Sequence, residues 1–93
     1  MVQEEAQGDP LLMEKIAKPH SARMIFARNL RQVRRLKEIS QEALALQAGL
    51  SRTYVSEVER GERNVSIDNM GLLADALSVR LKDLLDPEMI KTL

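Results

Sequence analysis

Residues 52–60 read Arg-Thr-Tyr-Val-Ser-Glu-Val-Glu-Arg. At about 100° per residue on a helix, Val55 and Val58 fall within about 40° of Ser51 and make an apolar stripe. Thr53 and Arg60 lie on the opposite side, Ser56 and Glu57 flank them, and Arg52 stands at the edge. These side chains suit the hydrogen-bonding code of a DNA major groove. An arginine can donate twice to guanine O6 and N7, a threonine methyl meets thymine, and a glutamate accepts from cytosine N4. Arg52, Thr53, Ser56 and Glu57 are therefore the candidate base readers. Tyr54, on a shoulder of the same helix, can reach backbone or a thymine methyl. Taken alone, the pattern also fits an ordinary solvated helix face, so the neighbouring elements decide.

Ser40 and Ser51 each stand where a hydroxyl can accept from the free N–H groups of a helix's first turn. Between them Ala48-Gly49-Leu50 supplies a glycine able to take positive φ and an apolar anchor after it. Two short helices joined through such a glycine form a helix-turn-helix, whose second helix can enter the major groove. Gln41 opens the first of them, where a side-chain amide and a backbone N–H can both reach a phosphate. Ser51, Arg60, Arg63 and Asn64 flank the second helix and are assigned, with Gln41 and Tyr54, to the DNA backbone.

Arg34, Ser40-Gln41-Glu42, Leu44-Ala45, Ala48-Gly49-Leu50-Ser51, Val55-Ser56, Glu59-Arg60-Gly61 and Leu73-Ala74 together resemble the Cro/CI (Xre-type) family of helix-turn-helix repressors. The resemblance spans about residues 25–85. Within the family, the run from Ser51 to Ser66 is most similar to the small dimeric controller proteins of restriction-modification systems. It implies an all-α, five-helix, lambda-repressor-like domain. It also implies that an arginine of the first helix meets Glu59 and ties two helices together, a structural role assigned to Arg34, and it places a phosphate contact at Gln41. The sequence departs from the family at Glu38 and Ser78, where a helix-ending glycine is common, and at Leu46 and Leu72, where charge is usual. The two leucines are either scattered surface residues or covered, by the 11–17 segment or by a second subunit.

Net charge is zero over 93 residues, but its distribution is uneven. Lys18, Arg23, Arg28, Arg31, Arg34, Arg35 and Lys37 form an acid-free basic run, while both ends are acidic. Such a run beside the motif can serve phosphates, with about half of its arginines expected to pair with Glu38, Glu42, Glu57 or Glu59. There is no cysteine, so no disulfide framework and no thiolate metal site is expected. No apolar run approaches the ~20 residues of a membrane span, and a cytoplasmic protein without membrane contact is expected. His20, the sole histidine, has no acidic or nucleophilic partner pattern around it. No catalytic residue, metal site or cofactor is assigned.

Five helices are expected: 22–37 with Phe26, Leu30, Val33 and Leu36 inward; 41–48; 52–60; 67–77 with Ile67, Met70, Ala74 and Leu77 inward; and about 81–85. Residues 21–86 would form the DNA-binding domain. Residues 1–20 would be an extension carrying a short helix near 10–17, and residues 87–93 a second extension. Leu81, Leu84, Leu85, Met89, Ile90 and Leu93 are more apolar residues than so short a segment can bury alone, which points to a homodimer interface. One recognition helix reads only a few base pairs, whereas two related by a two-fold axis read half-sites about 34 Å apart. The expected partner is double-stranded DNA with a palindromic operator, with RNA polymerase as a further candidate. The competing reading is an antitoxin-type subunit whose main partner is a protein.

Overall fold

The computed structural model describes residues 21–89. The 10–17 helix, His20, Ile90 and Leu93 lie outside the described residues. Five helices run in order: α1 (Ala22–Leu36), α2 (Gln41–Ala48), α3 (Arg52–Glu59), α4 (Ile67–Ala76) and α5 (Leu81–Leu84). No strand occurs among the described residues.

The first four helices start by one device. Ser21, Ser40, Ser51 and Ser66 hold extended backbone, and each hydroxyl accepts the N–H three residues on, from Met24, Ala43, Tyr54 and Asn69 at 3.0–3.2 Å. The same four helices also end alike. Glu38, Gly49, Gly61 and Ser78 take positive φ of 57°, 76°, 75° and 58°. The next N–H then reaches back five residues, as in Ile39 to the Arg34 carbonyl (3.1 Å) and Leu50 to that of Ala45 (2.9 Å). Glu38 and Ser78 therefore make the left-handed turn without glycine, at a backbone cost of roughly 1 kcal/mol each.

The core is aliphatic apart from Phe26. Leu30, Leu44, Val55, Leu73 and Leu84 are at 0% exposure at its centre. The α2 helix packs on α3 and α4, α1 on α3 and α5, and α4 on α5. Two residues expected inside are not: Leu36 is 61% exposed and Ile67 70%. They are the last residue of α1 and the first of α4, at helix ends where packing is thinnest. Leu46 (83%) and Leu72 (43%) are exposed as well.

The C-terminal leucines divide. Leu84 (0%) and Met89 (5%) lie in the chain's own core and so are not free to face a second subunit. Leu81 is half-buried and Leu85 exposed. The cause is a pair of α1 side chains. Asn29, fully buried, donates through Nδ2 to the carbonyls of Leu84 (3.0 Å) and Asp86 (2.8 Å), and Arg28 donates to that of Pro87 (2.9 Å). The Leu84 carbonyl is one that a four-residue helix leaves open, and the three bonds together hold the segment after it on α1.

Candidate nucleic-acid interface

The base of the site is a buried carboxylate. Glu59, at the end of α3, is 3% exposed. Arg34 of α1 grips it through Nε to Oε2 (2.5 Å) and Nη2 to Oε1 (2.9 Å). The same guanidinium donates to the Ile39 carbonyl (2.8 Å), and Gln41 Nε2 of α2 donates to Glu59 Oε1 (3.0 Å). Three helices are thus tied at one point, with the charge paired and its oxygens hydrogen-bonded, as burial demands. The Gln41 amide, expected on a phosphate, points inward instead. Glu59 is the stronger nearby acceptor, and the α2 backbone N–H groups are what the position leaves for an anion.

With α3 held there, its apolar stripe of Val55 and Val58 is buried and its first turn faces out. Arg52 and Thr53 are exposed, and their side chains have no hydrogen-bonding or charged partner among the described residues. Ser56 and Glu57 are half-buried and engaged. Ser56 Oγ accepts from Arg60 Nη1 (2.5 Å), and Glu57 Oε1 accepts from Arg63 Nε (2.7 Å). Arg60 also forks onto Glu62, Nε to Oε2 at 3.0 Å and Nη2 to Oε1 at 3.1 Å. Bonding to Glu62 raises the Arg60 pKa and lowers that of Glu62, and bonding to Glu57 raises that of Arg63.

Tyr54 is half-buried and links α3 to α4, its hydroxyl accepting from Asn69 Nδ2 (3.0 Å). The Arg63 guanidinium lies 5.1 Å from the centre of its ring, within cation–π range. Ser51 Oγ is occupied by its capping bond, and Asn64 is exposed. The candidate residues from Gln41 to Asn64 therefore surround one helix. Sequence reasoning missed Glu62 and Asn69, which come to the site only through the turn at Gly61 and the start of α4.

Pairing of the basic run with acids is sparser than expected. Among the described residues, Arg34 alone of α1 meets an acid, and Arg28 is held by a carbonyl. Arg23, Arg31 and Arg35 of α1, with Lys37 at its end, keep no acid partner there, so the helix retains its positive charge. No described group of His, Asp or Glu side chains could hold a metal ion, and no described helix is long and apolar enough to cross a membrane.

A short capped helix, a glycine turn, and a second helix held by an arginine–glutamate lock are set out in this way between α1 and α4. A helix-turn-helix family profile matches residues 30–84, more than half of the chain. The chain belongs to the Xre-type helix-turn-helix family. It is thus a DNA-binding regulator rather than an enzyme. Among the relatives of this helix-turn-helix protein, control protein C.BamHI of Bacillus amyloliquefaciens is 48% identical over 68 residues, which cover 72% of this chain and 84% of that one. Control protein C.SmaI of Serratia marcescens is 43% identical over 67 residues, 72% of this chain and 80% of that one. The crystal structure of the restriction-modification controller protein C.AhdI from Aeromonas hydrophila superposes with a TM-score of 0.66 at 45% identity. That match covers 70% of this chain and 98% of the other.

Proposed function

We propose that the chain is a cytoplasmic, sequence-specific transcription regulator that binds a palindromic operator as a homodimer near its own promoter, like a restriction-modification controller. The observation that carries this reading is the exposed, unpartnered start of α3, Arg52 and Thr53, on a helix fixed by the Arg34–Glu59 lock. Its likeness to three control or controller proteins supports the narrower role. Arg52, Thr53, Ser56 and Glu57 read bases. Ser51, Tyr54, Arg60, Arg63, Asn64 and the backbone at Gln41 hold phosphates, which set register without carrying sequence information.

The dimer contact is redrawn by the burial of Leu84 and Met89. Leu81 and Leu85 remain available, and exposed Leu36 lines a groove with Val33, Val79 and Asp83. The test is fluorescence anisotropy at ~150 mM salt with the DNA upstream of the protein's own gene and a scrambled duplex. A preference of ~10³-fold or more, saturating at two chains or a multiple per site, supports the reading. Weak and equal binding to both duplexes overturns control at its own promoter, leaves an operator elsewhere or a missing partner as explanations, and brings the protein-partner alternative to the front.

A further inference from the structure

Two of the four proposed base readers are covered by two of the proposed phosphate binders. Arg60 lies on the Ser56 hydroxyl and Arg63 on the Glu57 carboxylate. Arg60 is also bound bidentately by Glu62, in the fork geometry by which a guanidinium grips a phosphate. The side chains of Arg60, Arg63 and Glu62 are each about half exposed, that of Glu57 28%. A DNA phosphate can therefore replace either carboxylate without opening the core. We infer that Glu62 and Glu57 are built-in competitors for the DNA backbone: they hold Arg60 and Arg63 over the base-reading face until phosphates take the arginines away.

The exchange keeps both arginines bound to an anion. Arg63 passes from Glu57 to a phosphate oxygen, and the freed carboxylate can accept from cytosine N4. Arg60 passes from Glu62 to a phosphate, and the Ser56 hydroxyl is uncovered. The two carboxylates then meet different fates. Glu57 regains a partner only if the correct base stands opposite it; otherwise it is left beside DNA with no donor and a like charge nearby. Glu62 lies beyond the helix and gains nothing from any base. Glu57 thus makes phosphate binding conditional on sequence, whereas Glu62 weakens binding to every duplex. Their shared effect is to suppress occupancy of random DNA, which greatly outnumbers any operator. Tyr54 keeps Arg63 in place during the exchange, since the guanidinium can slide along the ring face while changing its anion.

This inference rests on the DNA-binding reading, and the experiment separates the two. Full-length wild type, E57Q, E62Q, R60A, R63A and the double variants E57Q/R63A and E62Q/R60A are titrated at low salt against two duplexes. One is enriched from a random pool by the wild-type chain, the other is its scrambled counterpart. E62Q is expected to bind both duplexes about three-fold more tightly, the scale of one charge removed near a phosphate through water. E57Q is expected to bind the scrambled duplex about three-fold more tightly and the enriched one about ten-fold more weakly. Each gain is expected to vanish when the matching arginine is already alanine. Gains that persist at full size without Arg60 and Arg63 are general charge effects and overturn the inference. So does an E57Q loss that is equal on both duplexes, the mark of a merely structural glutamate. If wild type binds no duplex, the DNA-binding reading falls and takes this inference with it.

Discussion

Replacing Arg34 by methionine removes the guanidinium but keeps much of the buried stem. Glu59 would then retain a single donor, Gln41 Nε2, on a side chain only 2% exposed. Breaking a buried pair from one side costs about 3–5 kcal/mol, because the surviving charge is uncompensated. Against a total stability of about 5–15 kcal/mol for a domain, that is a large share. At about 4–8 °C per kcal/mol for a domain of this size, the melting temperature should fall by about 12 °C or more. The companion variant, Arg34→Met with Glu59→Leu, removes both charges and replaces them with apolar side chains. It should melt within about 1–2 kcal/mol of wild type, because nothing ionic is left stranded. Thermal and urea unfolding followed by far-UV circular dichroism on wild type, both single variants and the double completes the cycle. The reasoning fails if Arg34→Met costs less than about 1 kcal/mol, or if the double variant loses the sum of the singles.

The two left-handed turns without glycine should be improvable: Glu38→Gly and Ser78→Gly should each gain about 1 kcal/mol in urea unfolding. Gly49→Ala, whose new methyl would meet open space, should lose a similar amount through backbone strain alone; no change at any of the three would contradict the φ values. Leu84→Ala should cost about 2–5 kcal/mol as a core cavity, at every protein concentration. Leu85→Lys should change chain stability by no more than about 0.5 kcal/mol while weakening self-association in sedimentation; the opposite pattern would return Leu84 to the interface. The Glu62 carboxyl is held below its ordinary 4.5 by Arg60, so its contribution is present above that value and lost as pH falls through the lowered one. The acid limb of the stability profile should therefore be shallower in E62Q than in wild type, and superimposable limbs would show that the pair contributes nothing in solution.

Much of this architecture was legible because serines and glycines mark helix ends chemically. Ser40 and Ser51 placed two helix starts correctly, and α2 ran from Gln41 to Ala48 as its pattern requires. What periodicity could not convey is how far a partner reaches. Leu36 and Ile67, expected inward, are exposed at the ends of their helices. The fate of Leu84 and Met89 depended on Asn29, a polar residue three after Phe26 and four before Val33, on the inward side of α1. An asparagine on that stripe was the available signal for a buried hydrogen-bonding role. The contacts of Glu62 and Asn69 had no comparable signal, since they depend on the turn at Gly61 and on how α4 is placed after it.

The clasp between α1 and the C-terminal segment also divides the molecule by stability. Alone of the five helices, α5 has no side-chain N-cap bond, and four residues are far too few to be helical unaided. What holds it is Leu84 in the core and a few bonds from Asn29 and Arg28 across more than fifty residues of chain. It is accordingly the cooperative unit expected to open first, with its amides exchanging with solvent at a lower free energy than those of α2 and α3. Each opening uncovers Leu84 and Met89 together. An opening confined to this segment thus exposes apolar side chains that the closed fold keeps in its core.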